Sequence, residues 1–297
     1  MHNVRRICIN NSYFKSNSGT FGGGLVDTKS TLFNVIENTK FANNTAVKGS
    51  GAGCYFHEII TGLIMNSLFE NNSGNIGSGI CMYKSNISVI RNAAFFSNNA
   101  KTHGGGIRFT HVKYFSITKS YFRNNYARVG GGLLLHKIMK VVITESIFST
   151  NLAWQGAGVY IYTDKNTYGY FAIIINTSFG NNSASRSTGG GCYLWWITAS
   201  IIVNLSFHSN YANDEGGGFY TFKSNFLIIG NTVFVQNNAD KYGGGANLID
   251  VRKISINNSY FKSNSANYGG GLFIMTNTIL VALQNTEFVN NSAVENY

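Results

Sequence analysis

Residues 95–109 read FFSNNAKTHGGGIRF: an aromatic pair, two asparagines, a polar corner, three glycines and a return to apolar residues. Alone, the glycines fit a nucleotide loop, a flexible linker or a structural corner. Recurrence decides between them. Phe-x-x-Asn begins at Phe14, Phe41, Phe69, Phe95, Phe122, Phe148, Phe179, Phe207, Phe234, Phe261 and Phe288. Subtracting these numbers gives spacings of 26 to 28 residues, with one of 31. Ten of the eleven units continue into Gly-x-Gly, whose last glycine lies 10 to 12 residues after the Phe. A feature that returns at fixed phase belongs to a scaffold of stacked repeats.

The middle glycine is replaced by Ala52, Ser78 and Ala157, while the outer two never vary. The outer positions therefore need either a positive φ or the absence of a Cβ. After each triplet comes a short alternating run whose first and third residues are mostly apolar, as in Ile107/Phe109, Val159/Ile161 and Cys192/Leu194. That period of two marks a strand with one buried face. A second strand precedes each Phe, with Ile9, Ile36, Ile64, Ile90 and their counterparts through Leu283 five residues upstream. Strands this short bury a face only by stacking coil on coil, about 4.8 Å apart, with like residues in ladders. Stacked Asn amides can donate and accept along such a ladder. A second Asn row stands three before each Phe, broken by Lys119 and Glu145, which are placed to pair. The expected fold is all-β: a right-handed, single-stranded parallel β-helix of about ten coils of ~27 residues. One repeat domain spans 1–297. Both ends fall mid-coil, so the chain reads as part of a longer protein whose remainder caps them.

Composition agrees. The chain has 22 Phe, 17 Tyr, 34 Gly and no Pro, with 12% charged residues and a formal charge of +11. Aromatics with glycines favour strands and tight corners over disorder. No apolar run is long enough to span a membrane as a helix. The four cysteines show no metal spacing and are expected to be free. Neither a metal nor a cofactor is expected.

The Phe-x-x-Asn units alternating with Gly-Gly-[Ala/Leu/Ile/Val] resemble the repeat of the polymorphic outer membrane proteins of chlamydiae, within the pectin-lyase-like β-helix class. The resemblance covers nearly the whole chain. It implies an extracellular or cell-surface module for adhesion or display, at the outer membrane if bacterial, with a glycan or a cell-surface protein as partner.

Chemistry is sparser. The glycine triplets lead into strands, not helices, so they are not phosphate loops, and no nucleic-acid motif accompanies the charge. Polysaccharide cleavage, the alternative function, needs paired carboxylates. The nearest approach to a pair is Asp214 and Glu215 in one corner with Asp240 in the next, which read as turn residues. An inert spacer is a third reading. Two recognition surfaces are expected. Second and fourth residues after the triplet should face solvent, making Tyr160, Tyr162, Tyr193, Trp195, Tyr220 and Phe222 a two-by-three aromatic array for ligand binding. Five residues after the third glycine, Lys29, Lys84, His111, Lys137 and Lys223 form a basic row, interrupted by Glu58, Thr163, Trp196, Asp250 and Thr276. A row of like charges asks for an anionic partner or wide solvation.

Overall fold

The computed structural model describes residues 6–28, 31–164, 169–275 and 277–293. It is an all-β, right-handed parallel solenoid of stacked coils, as the repeat predicts. Each coil has three walls. The long wall is a 16-stranded sheet built from the strand after each triplet and the strand before each Phe. In several coils these merge into one bent 12-residue strand, as at Cys54–Met65, Ile107–Thr118 and Phe219–Gly230. The second wall is an 11-stranded sheet of three-residue strands centred on the repeat Phe. The third consists of strands mostly two residues long that carry one small buried side chain per coil, such as Ala153, Ala184, Ala212, Ala239 and Ala266.

Register is in phase from coil to coil. Ile80 pairs with Ile107, Ile107 with Leu133, and Leu133 with Val159. The first and third strand residues and the upstream Ile row point inward into one continuous core. The Phe rings stack along the axis at 4.4 to 5.3 Å between neighbouring centroids. Each buried ring contributes about 2–3 kcal/mol by area removed from water.

The buried Asn ladder is more tightly wired than simple stacking. Asn98 donates its backbone N–H and its amide Nδ2 to Asn125 Oδ1, both at 3.0 Å. The same amide also donates to the carbonyl of Phe69 in the coil before, at 2.9 Å. Asn98 Oδ1 accepts in turn from the backbone N–H and Nδ2 of Asn72, so one side chain makes four hydrogen bonds in the interior, where leaving any of these groups unpaired is costly.

The corners are made by left-handed residues. In one repeat these are Asn92 (φ 49°), Ser97 (53°), Gly104 (64°) and His111 (58°). Asn is the non-glycine residue that best tolerates this region, which explains the second, exposed Asn row. Where that row breaks, Lys119 and Glu145 do pair, at 3.5 Å. The outer glycines have two separate reasons. Gly104 has a positive φ, whereas a Cβ on Gly106 would stand 2.6 Å from the Gly132 carbonyl oxygen of the next coil. All four cysteines are free thiols; Cys8 is exposed and the other three are buried.

Candidate functional site

The outward side of the long wall carries the residues expected to bind. Three of the six aromatics are not where the alternation places them. Tyr193 is 0% exposed, Tyr220 5% and Tyr160 9%. They form a second, outer apolar layer with Leu134 and Ile249, against which Val129, Tyr162, Trp195 and Phe222 pack. The cause is the first glycine of each triplet. A Cβ on Gly156, Gly189 or Gly216 would come within 2.6–2.7 Å of the Cβ of Tyr160, Tyr193 or Tyr220, four residues on. Lacking that Cβ, the corner becomes a shelf, and the second strand residue lies down on it. Tyr193 and Tyr220 stack at 4.7 Å, and Tyr160 tilts against Tyr193 at 4.4 Å. The extra loop of the 31-residue repeat, 164–170, falls partly at residues 165–168, outside the described residues.

The fourth residues remain partly exposed, except the buried Thr110. Along the axis they read His57, Tyr83, Thr110, His136, Tyr162, Trp195 and Phe222. His136 stacks on Tyr162 at 4.2 Å, and Trp195 lies 4.6 Å from Phe222. Rings stacked along the axis offer edges to solvent more than faces.

The basic row is also corrected. It lies on the left-handed bend of the long wall, and its described lysines each have an acid from a neighbouring coil. Lys84 pairs with Glu58 at 3.0 Å, Lys137 with Asp164, and Lys223 with Asp250 at 3.7 Å. Glu58 and Asp250 are thus counter-ions within the row rather than interruptions of it. Lys29 lies outside the described residues. His111 forms no ion pair among the described residues, though Asp164 is near enough to act on it, and it packs between Tyr83 and His136. The corner acids are likewise engaged: Asp214 pairs with Lys241 at 2.8 Å, and Asp240 accepts from the Tyr211 hydroxyl at 2.9 Å. Glu215 is half-buried and accepts from Asn247 Nδ2 at 3.1 Å. Burial first, and Asp214 beside it second, raise its carboxyl above the ordinary range.

Three histidines share this face with the half-buried guanidinium of Arg108. Burial lowers His103, His111 and His136, helped by Arg108 at His103 and by Lys137 at His111. At His136 burial outweighs the pull of Asp164, 3.1 Å away. Each binds fewer protons folded than unfolded, so the stabilisation is complete above the ordinary histidine range and is lost as pH falls through the lowered folded values. Melting temperature is expected to fall by several degrees between about pH 7.5 and pH 5.5, with a flatter profile for His103→Gln. Melting followed by circular dichroism across that range checks it.

The sequence did not point to one of the cavities on this face. A notch of about 230 Å³ opens where the long wall bends, lined by Trp196, Thr198, Lys223, Ser224, Asn225, Asp250 and Arg252. Lys223 Nζ sits 4.5 Å from the Trp196 ring and 5.3 Å from Phe222. Asp250 also accepts from Asn277 Nδ2 at 2.8 Å, and Arg252 is exposed. Trp196 has φ 59°, at a bend position that other coils fill with Glu58, Lys84, Lys137 or Lys223. A bulky aromatic held in the left-handed region is unusual and costs about 1–3 kcal/mol. In the sequence Trp196 only broke the basic row, and that break was its signal. No group of three or more metal-ligating side chains is assembled among the described residues.

Residues 105–293 match the family model described as right handed beta helix region, and the chain belongs to that family. No curated protein and no solved structure matches the chain.

Proposed function

We propose that this chain is an extracellular, cell-surface β-helix module for adhesion or display that binds a glycan through the outward side of its long wall. One observation carries the proposal: the strained Trp196 stands in an open notch with a cation, a carboxylate and an amide around it. Indole beside convergent polar groups suits a hydroxylated ring, which presents apolar C–H faces and polar edges. The exposed parts of Trp195 and Phe222 extend the surface along the axis. The resemblance of the repeat to that of chlamydial polymorphic outer membrane proteins supports surface display. Binding is favoured over cleavage because, among the described residues, one carboxylate lines the notch, Asp250, and it is held by Lys223 and Asn277, whereas glycoside hydrolysis works with two.

The test is a glycan array with wild type and Trp196→Asn, which removes the indole and suits the left-handed backbone. Loss of about tenfold in affinity for the best ligand, with an unchanged or higher melting temperature, is the expected result. Equal binding by Trp196→Asn and Arg252→Ala would overturn the proposal. Capture of a protein but no glycan would replace the ligand class.

A further inference from the structure

A second surface lies away from the notch, at the corner that precedes the glycine triplets. Arg128, Trp154 and Arg186 come from three successive coils and stack there. Trp154 N–H donates to the Arg128 carbonyl at 2.9 Å, and Arg186 N–H to the Trp154 carbonyl at 3.2 Å, so the backbone fixes their register. The Arg128 guanidinium lies 4.7 Å from the indole and that of Arg186 4.1 Å. One reaches it from the coil before and the other from the coil after, so each ring face carries a guanidinium. Both arginines are exposed, and the indole is half-buried. Lys101, also exposed, occupies this corner one coil earlier, as the bridges Asn99 to Tyr126 and His103 to Val129 place it.

Among the described residues these charges have no acidic partner. The ion pairs among the described residues use six lysines and one histidine, and no arginine. That allocation is unusual, because arginine's planar fork is the better partner for a carboxylate. Here lysines neutralise the acids between coils, while Arg128 and Arg186 lie against an aromatic ring and stay exposed to solvent. Cation–π contact orients a guanidinium without using its donors. Two ring-held forks of like charge, two coils apart, invite a repeating anion.

We propose that Lys101, Arg128, Trp154 and Arg186 form a binding site for an acidic polysaccharide, through its carboxylate or sulfate groups. Single-stranded nucleic acid is a poorer fit, because such binding relies on bases stacking on open aromatic faces, and both faces of Trp154 are covered. The same cover means that Trp154 positions the arginines instead of stacking on a sugar. The site is separate from the Trp196 notch, so each can fail without the other.

The experiment is titration of the whole chain with heparin and with polygalacturonate, repeated with duplex DNA and with N-acetylated, fully desulfated heparin. Heparin is expected to bind, weakening on the order of tenfold between about 50 and 200 mM salt. The Arg128→Ala/Arg186→Ala double variant should lose about tenfold at the lower salt with its melting temperature unchanged. Arg128→Lys/Arg186→Lys should fall between it and wild type, because charge is kept and the fork is lost. A charge-matched control, Arg123→Ala/Lys262→Ala, takes two exposed cations from the Phe wall. If the control loses as much as the Arg128/Arg186 pair, binding reflects net charge and the site is overturned. Duplex DNA binding as tightly as heparin, or no binding to either acidic polysaccharide, overturns it too. Polygalacturonate against heparin separates carboxylate from sulfate, and the desulfated polymer reports what remains when sulfate is absent.

Discussion

Asn125→Asp is expected to be the most damaging single substitution in the chain. Asn125 Oδ1 accepts from both the backbone N–H and the amide of Asn98. Its own Nδ2 donates to the Phe95 carbonyl at 2.8 Å and to Asn151 Oδ1 at 3.0 Å. Aspartate keeps the acceptor and loses the donor, so a carboxylate oxygen faces two other oxygens at a site 1% exposed. Each broken buried hydrogen bond costs about 1–3 kcal/mol, and the buried charge adds more, so a total above ~4 kcal/mol is expected. Coils contact only their neighbours, so a defect in the middle also uncouples the two halves. Urea unfolding should change from one transition to two, or shift far to lower denaturant. Asn124→Asp is the control. Asn124 is exposed at φ 55° and accepts from Thr150 Oγ1, a role aspartate keeps. Its effect should stay within about 0.5 kcal/mol. Equal shifts for the two variants would mean that the ladder does not hold the coils together.

Tyr193→Ala is expected to cost about 3–5 kcal/mol, the range for emptying a buried aromatic site. Its ring stacks on Tyr220, has Tyr160 tilted against it, and is excluded from water. Trp195→Ala, two residues on and partly exposed, should cost roughly 1–2 kcal/mol, since much of its surface is already in water. Thermal melts of the two variants separate an outer structural layer from an exposed array. If Tyr193→Ala melts with wild type, the shelf on Gly189 contributes no stability. A binding measurement should therefore use Trp195 and Trp196, because loss of binding in a Tyr193 variant would report unfolding.

Much of this was legible from the repeat. Phe95, Asn98, Gly104 and Gly106 recur at fixed phase, so their roles as rungs and corners follow from stacking alone. The inward row of Ile107 and Phe109 follows from a period of two. The outward row did not follow. Alternation says which side of the sheet a residue leaves from, and at Tyr160, Tyr193 and Tyr220 the missing glycine Cβ turned an outward side chain into a buried one. The charge rows failed for a related reason. Lys137 and Asp164 differ by one position in the repeat, so aligning the repeats set only Thr163 in the lysine row, whereas Lys137 reaches Asp164 in space. Arg128 and Arg186 likewise sit at phases that differ by one, and their stack on Trp154 appears only when the coils are placed.

Sequence by itself determined the solenoid, its period and the residues of its core, because identical local demands repeated every coil leave one way to bury the apolar face. Tertiary structure decided what the surface offers. Whether an outward ring is covered, a lysine neutralised or a guanidinium left open depends on side chains one coil away, and that distance of about 4.8 Å along the axis is ~27 residues along the chain.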